Sequence, residues 1–214
     1  MFFEKNTTLL FTGDSITDAD RARPVGTDFF NGLGRNYVSH VNSLLTAWRP
    51  DAKIRVLNTG VSGNTSRDLL ARWQTDVLAL RPDYVSVMIG INDVWRQFDN
   101  PLAPDMAVSP QEYRANMAEI IRLTLPAVRG MILMTPFFIE PRREDPMRAR
   151  TDEYIAIIKD LATEHGLTLV DSQAAMDRVC AHVPTASLAW DRVHPSVAGH
   201  MVLARAFCEA AKVL

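Results

Sequence analysis

An α/β fold, in which a five-stranded parallel sheet is covered by helices on both faces, is predicted by three features of the sequence. Short apolar runs alternate with segments of helical periodicity along the chain. These runs are apolar on successive residues, as parallel strands buried on both faces must be. The 214 residues contain no internal repeat and no linker-like tract, so one domain over residues 1–214 is expected.

The order of the elements follows from the apolar runs and the helical stripes. Two apolar stripes, within residues 37–48 and 69–80, predict amphipathic helices and place Trp48 and Trp73 in the core. The five predicted strands are Leu9–Thr12, Ile54–Leu57, Tyr84–Ile89, Met131–Thr135 and Leu167–Val170.

Three further helices are indicated by the residues at their ends. Ser109 is predicted to be the N-cap of one helix, with Pro110 in its first turn. Another helix covers residues 154–165 and ends at Gly166, which is a residue type favoured just after a helix. The last helix follows Pro195.

Composition and charge bound the classes of partner. The formal net charge of −2 offers no electrostatic attraction to nucleic acid or to an anionic membrane. No secretion signal is recognisable, and no run approaches the ~18 apolar residues of a membrane span. Cys180 and Cys208 form neither a CxxC nor a metal-type spacing. A cytoplasmic protein without metal or cofactor is therefore expected, with its cysteines as packing residues and the arginines of residues 142–150 on a solvated, mixed-charge face.

Polar residues follow the predicted strands at the points where the strands end. Gly13-Asp14-Ser15 follows the first strand, the segment GVSGN with Gly63 follows the second, and GIND with Asn92 follows the third. Asp191 and His194 come just before the last helix. Because ligands of an open parallel sheet bind beyond the carboxyl ends of its strands, we expect these residues to gather in one cleft.

Acyl transfer needs a nucleophile, a base, a group that orients the base and donors for an oxyanion, and these residue types supply all four. The spacing Asp191-x-x-His194 brings a carboxylate to the imidazole Nδ1 and leaves Nε2 for a serine proton. The other histidines lack such a neighbour. Ser62 is a rival nucleophile to Ser15, although Asn64 breaks the G-x-S-x-G pattern of a nucleophile elbow.

Each of these residues also has a purely structural interpretation. Ser15 is a candidate N-cap of the following helix, with Asp18 three residues later, and Asn92 is a candidate turn former. A metal-dependent deacetylase using Asp14, Asp18 and Asp20 with a histidine is a second hypothesis, but the histidine spacing does not match a helical metal pair. A nucleotide-binding module is a third, although no complete glycine-rich phosphate motif occurs.

The blocks GDSITD, GVSGNTS, GINDVW and DRVHPS, in this order over nearly the whole chain, resemble the SGNH subgroup of the GDSL-type hydrolases. The resemblance implies a flavodoxin-like, three-layer α/β/α sandwich. It also implies that Ser15 is the nucleophile, His194 the general base and Asp191 the residue that orients it. The implied oxyanion donors are the backbone N–H groups of Ser15 and Gly63 and the side-chain amide of Asn92.

A narrower similarity concerns the segments GRNYV, ILMTPFFIE, DPMR and LAWDRVHPSVAGHMVLARAF, which resemble those of intracellular acetylxylan esterases from xylan-using bacteria. This resemblance implies removal of O-acetyl groups from xylo-oligosaccharides or related acetylated sugars through an acetyl-enzyme. Lysophospholipases, thioesterases and arylesterases share the four blocks, so hydrolysis of longer acyl chains is the alternative. A catalytically silent binding module is a further alternative.

Three more residues are candidates for contact with substrate. Trp190 precedes Asp191, Trp95 follows the GIND block, and Asp14 precedes the candidate nucleophile. A tryptophan can form the wall of a sugar site, and it can equally fill a core. The long loop Val94–Val108 contains four large apolar residues, from which we expect a homo-oligomer.

Overall fold

The computed structural model describes residues 3–28, 30–99 and 102–213. Its five parallel strands lie in the order β2-β1-β3-β4-β5. β1 is thus an interior strand between β2 and β3, and the functional segments that follow β1, β2 and β3 come from adjacent strands. The strands are β1 Thr8–Gly13, β2 Arg55–Asn58, β3 Tyr84–Met88, β4 Gly130–Met134 and β5 Thr168–Val170. All five predicted strands are confirmed.

Helices cover both faces of the sheet, which confirms the three-layer α/β/α sandwich. The α-helices of the described residues are α1 Ser15–Asp18, α2 Tyr37–Trp48, α3 Ser66–Ala71, α4 Trp73–Asp76, α5 Ile91–Trp95, α6 Pro110–Thr124, α7 Pro146–Glu164, α8 Ser172–Cys180 and α9 Val197–Ala210. One face packs against α2, α8 and α9, and the other against α3, α6 and α7.

Successive side chains of β1 point to opposite faces of the sheet and pack in two separate cores. Phe11 packs with Tyr37 and Phe207 on the face of α2 and α9. Leu10 points to the opposite face and joins the cluster that contains Trp73 and Tyr113. Because side chains alternate across a strand, an apolar run on successive residues serves both cores. This explains why the strands are visible in the sequence.

The capping signals at two helices are confirmed. The Ser109 side chain accepts a hydrogen bond from the backbone N–H of Glu112 at the start of α6. Gly166 follows α7 with a φ of 63°, a conformation that favours glycine. The helix predicted over residues 154–165 begins earlier, at Pro146, where Asp145 caps it. No stripe in the sequence indicated α8.

The stripe within residues 69–80 does not form one helix. It divides into α3, α4 and a short 3-10 turn at Leu78–Leu80. Arg72 lies at the first break, and its guanidinium donates to the backbone carbonyls of Gly13 and Thr59. Trp73 is buried as predicted, whereas Trp48 is 45% exposed because it lies at the last residue of α2.

The charged segment of residues 142–150 is only partly a solvated face. Arg148 is buried, and its guanidinium pairs with Asp152 and Asp177. The two cysteines are free; Cys208 is buried in the core and Cys180 is half-buried. No helix among the described residues is long and apolar enough to cross a membrane.

Candidate active site

Ser15 is the first residue of α1 and is separated from the end of the interior strand β1 only by Asp14. The N-cap of α1 is Asp14, whose Oδ1 accepts a hydrogen bond of 3.0 Å from the backbone N–H of Ile16. The interpretation of Ser15 as the N-cap is therefore wrong. Because Asp14 satisfies the helix start, the Ser15 hydroxyl is available for another partner.

A chain of hydrogen bonds joins Ser15, His194 and Asp191. Ser15 Oγ lies 2.9 Å from His194 Nε2, and His194 Nδ1 lies 2.6 Å from Asp191 Oδ2. The second carboxylate oxygen of Asp191 accepts from the backbone N–H groups of Val193 and His194. Partial burial raises the pKa of the Asp191 carboxyl, but the hydrogen bonds from His194 and Val193 outweigh it and hold the pKa below its usual value. An ionised Asp191 fixes the tautomer that leaves Nε2 facing Ser15.

The three predicted oxyanion donors lie around one cavity of about 580 Å³. Ser15, Gly63 and Asn92 all line it, together with His194. Asn92 Nδ2 donates to the backbone carbonyl of Asn64 at 3.0 Å. Since an amide nitrogen has two hydrogens, one of them is left for an oxyanion. The geometry brings a candidate nucleophile, a candidate base and candidate oxyanion donors to one place.

The loop that carries Gly63 is held from both sides. Asp18 Oδ2 accepts from the backbone N–H and the hydroxyl of Ser62, each at 3.0 Å, and also pairs with Arg23. On the other side, Arg72 Nε donates to the side-chain oxygen of Asn64. Neither Asp18 nor Arg72 was predicted to support this loop. Asp18 and Ser62 lie 44 residues apart, and Arg72 reaches Asn64 from beyond the end of α3, so neither contact follows from a helical or strand period.

The same contacts bear on two hypotheses from the sequence. The Ser62 hydroxyl donates to the Asp18 carboxylate, which also pairs with Arg23, whereas the hydroxyl that lies against His194 is that of Ser15. Asp18 Oδ2 accepts hydrogen bonds from Ser62 and Arg23, so this oxygen is used to hold the loop. Among residues 3–28, 30–99 and 102–213, no cluster of three histidine, cysteine or acidic side chains could hold a metal ion.

The position of Asp14 does not agree with the prediction that its side chain contacts substrate. Its side chain is 1% exposed and caps α1 below the cavity. Burial raises the pKa of Asp14 to about 7, and the nearby Asp93 adds to the shift. Burial also raises the pKa of Asp93 to about 6, although Ser66 donates to its carboxylate. Asp14 therefore shapes the turn that presents Ser15, and its burial keeps it from substrate.

The two candidate tryptophans differ in position. Trp95 is half-buried and lines the cavity, with its ring centre 5.9 Å from that of His194. Trp190 lies outside the cavity lining and is 90% exposed. His200, which sequence reasoning set aside, lines the cavity and is 6% exposed. Its burial lowers the pKa to about 4, so the imidazole is neutral at physiological pH.

Replacing Gly63 with alanine is expected to lower kcat about tenfold or more, because the residue has a φ of 82°. An added Cβ meets no atom within 4 Å, so the effect arises from the backbone. A left-handed conformation costs an L-residue ~1–2 kcal/mol, and rotation of the peptide would turn the N–H away from Ser15. Initial rates with an activated ester measure kcat.

Gly166 provides the matched control for this substitution. It has a φ of 63°, and a Cβ there also meets nothing within 4 Å, but it lies beyond α7, away from the cavity. Gly166→Ala should lose thermal stability to a similar degree and keep kcat. Equal kcat values for the two variants would remove Gly63 from the set of oxyanion donors.

Comparison with known proteins agrees with this arrangement. Residues 11–202 match the model of the GDSL-like lipase/acylhydrolase family. The acetylxylan esterase of Geobacillus stearothermophilus is 55% identical over 199 residues, which are 93% of this chain and 91% of that protein.

Solved structures show the same likeness. LAE5, an alpha/beta hydrolase enzyme from the metagenome of Lake Arreo in Spain, is 52% identical and has a TM-score of 0.96, covering 98% of this chain and 97% of its own. Axe2, an acetylxylan esterase from Geobacillus stearothermophilus, is 52% identical with a TM-score of 0.96, covering 99% and 96%. Its Ser15→Ala, Asp191→Ala and His194→Ala variants are described as catalytic mutants. This chain, which has the same residue types at those numbers, belongs to the GDSL-like lipase/acylhydrolase family.

Proposed function

We propose that this chain is a serine esterase that removes O-acetyl groups from xylo-oligosaccharides or related acetylated sugars. The observation that carries the proposal is the hydrogen-bonded chain from Ser15 Oγ through His194 to Asp191 at the edge of the cavity. The acetyl and sugar specificity is supported by the high identity to an acetylxylan esterase over nearly the whole chain.

The proposed reaction begins with attack of Ser15 Oγ on the acetyl carbonyl carbon. His194 Nε2 takes the serine proton, and the ionised Asp191 stabilises the imidazolium that forms. The negative charge on the carbonyl oxygen is met by the N–H groups of Ser15 and Gly63 and by the Asn92 amide. His194 then gives its proton to the sugar oxygen, the ester C–O bond breaks, and the sugar leaves with a free hydroxyl.

Water completes the cycle on the acetyl-enzyme. His194 takes a proton from the water as its oxygen attacks the acetyl carbon, and the same three donors hold the second oxyanion. Collapse of this intermediate breaks the bond to Ser15 Oγ, which regains the proton from His194. Acetate is released, and the hydrogen bonds of the free enzyme are restored. Every proton that Ser15 loses or regains passes through His194 Nε2, and the second proton of the water leaves with the acetic acid, which ionises in solution.

The test is a series of kcat/KM values in which only the acyl group or the alcohol changes. Acetylated xylo-oligosaccharide and 4-nitrophenyl acetate are compared with the 4-nitrophenyl butyrate and octanoate esters and with an acyl thioester. We expect the acetyl esters to exceed the octanoate by at least about 100-fold, because an acetyl-selective esterase must reject longer acyl chains. Faster hydrolysis of the octanoate or the thioester would replace the substrate class and retain the serine mechanism.

The compartment and the assembly are also proposals. A cytoplasmic location is supported by the two free cysteines, since reduced thiols are usual there. A homo-oligomer is supported by large apolar side chains on the surface, among them Leu102 at 94% and Trp190 at 90% exposure. Sedimentation equilibrium of the purified protein decides the assembly.

A further inference from the structure

A second cavity of about 590 Å³ lies next to the catalytic cavity, over the seam between α2 and α9. Arg35 lines both cavities, so the two meet at this residue. The second cavity is lined by Phe30, Asn31, Gly34, Arg35, Ser39, His40 and Val197. None of these residues belongs to the four blocks that carry the catalytic residues, and the reaction described above leaves the cavity unused.

The position of the catalytic base relates this second cavity to the substrate. His194 must reach the oxygen of the leaving alcohol, so the sugar has to lie on the side of the cavity where His194 stands. His194 and Pro195 line the catalytic cavity, and Val197, two residues further on, lines the second cavity. The path from the catalytic base therefore leads along the start of α9 into the second cavity.

Arg35 is suited to bind a ligand at this junction. Its backbone N–H donates to the carbonyl of Ala19, which fixes the chain, whereas its exposed guanidinium has no hydrogen bond or ion pair with any residue that the structure describes. The other arginine of the catalytic cavity, Arg96, is already paired with Asp99. The planar guanidinium offers five donors, enough to hold two neighbouring sugar hydroxyls or a carboxylate.

The walls of the second cavity combine apolar and polar groups. Phe30 and Val197 are 101% and 75% exposed, and they flank the polar side chains of the lining. None of the described residues that line it is acidic. An aromatic face beside amide, hydroxyl and guanidinium groups matches a pyranose ring, which has an apolar C–H face and an edge of hydroxyl groups.

His200 supplies a further contact beside Arg35 in the catalytic cavity. The residue is only 6% exposed, and its Nδ1 is buried with no hydrogen-bond partner among the described residues. A neutral imidazole can exchange a hydrogen bond with a sugar hydroxyl without placing a second positive charge beside Arg35.

We propose that the second cavity binds the sugar units next to the acetylated one, with Arg35 as the residue that links them to the catalytic cavity. This inference rests on the proposed function and adds that the preferred substrate is an acetylated oligosaccharide rather than an acetylated monosaccharide. Arg35 and Phe30 then determine specificity for the alcohol side of the ester and have no part in the acyl transfer itself.

The test compares three substrates: 4-nitrophenyl acetate, a mono-acetylated methyl xyloside and an acetylated xylotetraose. Wild-type enzyme should prefer the tetraose to the monosaccharide. Arg35→Ala should lower kcat/KM for the tetraose at least about tenfold, mainly through KM, since hydrogen bonds to a charged group are lost. The same variant should keep kcat/KM for 4-nitrophenyl acetate within about twofold. Phe30→Ala should act in the same direction without removing a charge.

Arg122→Ala is the matched control. Arg122 is an exposed arginine on α6 that pairs with Glu119 and lies away from both cavities. The proposal is overturned if Arg35→Ala and Arg122→Ala hydrolyse the tetraose equally well. It is also overturned if Arg35→Ala or Phe30→Ala changes the oligomeric state and leaves sugar kinetics unchanged, because the cavity would then belong to a contact between chains.

Failure of the proposed function gives a different result. Wild-type enzyme would then hydrolyse 4-nitrophenyl acetate but release no acetate from either sugar, and both proposals would fall together. Release of acetate from both sugars at equal kcat/KM, unaffected by Arg35→Ala, would retain the sugar esterase and discard only the second binding site.

Discussion

Ser15→Ala is expected to lower kcat for acetate esters at least about 10⁴-fold, since the proposed acyl-enzyme forms on the Ser15 hydroxyl. The Ser15 hydroxyl lies 2.9 Å from His194 Nε2 and takes no part in capping α1, a role that Asp14 performs. The variant should therefore keep its fold and thermal stability. Initial rates, together with labelling of wild type and variant by a serine-directed phosphonate, measure the effect.

Ser62→Ala is the control, because Ser62 is the other serine of the cavity lining. Its hydroxyl donates to Asp18, so its loss removes one of two hydrogen bonds between these residues. We expect kcat to fall only a few-fold and phosphonate labelling to persist. Loss of labelling in Ser62→Ala but not in Ser15→Ala would reverse the assignment of the nucleophile.

Asn92→Ala is expected to lower kcat roughly 10²–10³-fold, with a much smaller change in KM. The amide acts on charge that develops only in the transition state, so its loss leaves binding of the neutral ester largely unaffected. Asn92 is 2% exposed and also donates to the carbonyl of Asn64, so the variant should lose about 1 kcal/mol of stability as well. Rates are therefore expressed per active site, counted by phosphonate titration.

Asn116→Ala separates the two effects. Its amide is partly buried, donates to Ser66 Oγ and lies outside the cavity lining. This variant should lose a similar amount of stability while kcat per active site stays within about twofold of wild type. If kcat of Asn92→Ala is also unchanged, the Asn92 amide is not an oxyanion donor and two backbone N–H groups must suffice.

The sheet could be predicted from sequence because an interior parallel strand is buried on both faces and is therefore apolar on successive residues. Leu10 and Phe11 of β1 show this, since each packs in a different core. The prediction of one continuous helix over residues 69–80 is wrong. The helix is interrupted at Arg72, whose guanidinium donates to backbone carbonyls of other segments. Arg72 and Gly13 lie 59 residues apart, so the local periodicity of the sequence cannot predict their contact.

Some residues of the candidate site could also be predicted from the sequence, and others could not. Ser15, Asn92 and His194 could be predicted because the topology of a parallel sheet brings strand ends to one edge. The role of Asp18 could not, because its partner Ser62 lies 44 residues away. The burial of Asp14 could not be predicted either. An aspartate next to a candidate nucleophile can face substrate or cap a helix, and the sequence is the same in both cases.

The nucleophile and its base lie 179 residues apart, one after the first strand and the other before the last helix. During synthesis on the ribosome, Ser15, Gly63 and Asn92 are all made long before Asp191 and His194. A chain cut short before Asp191 would thus be hydrolytically silent. Esterase activity therefore appears only in completed molecules, and a titration of active sites counts the chains that have finished folding.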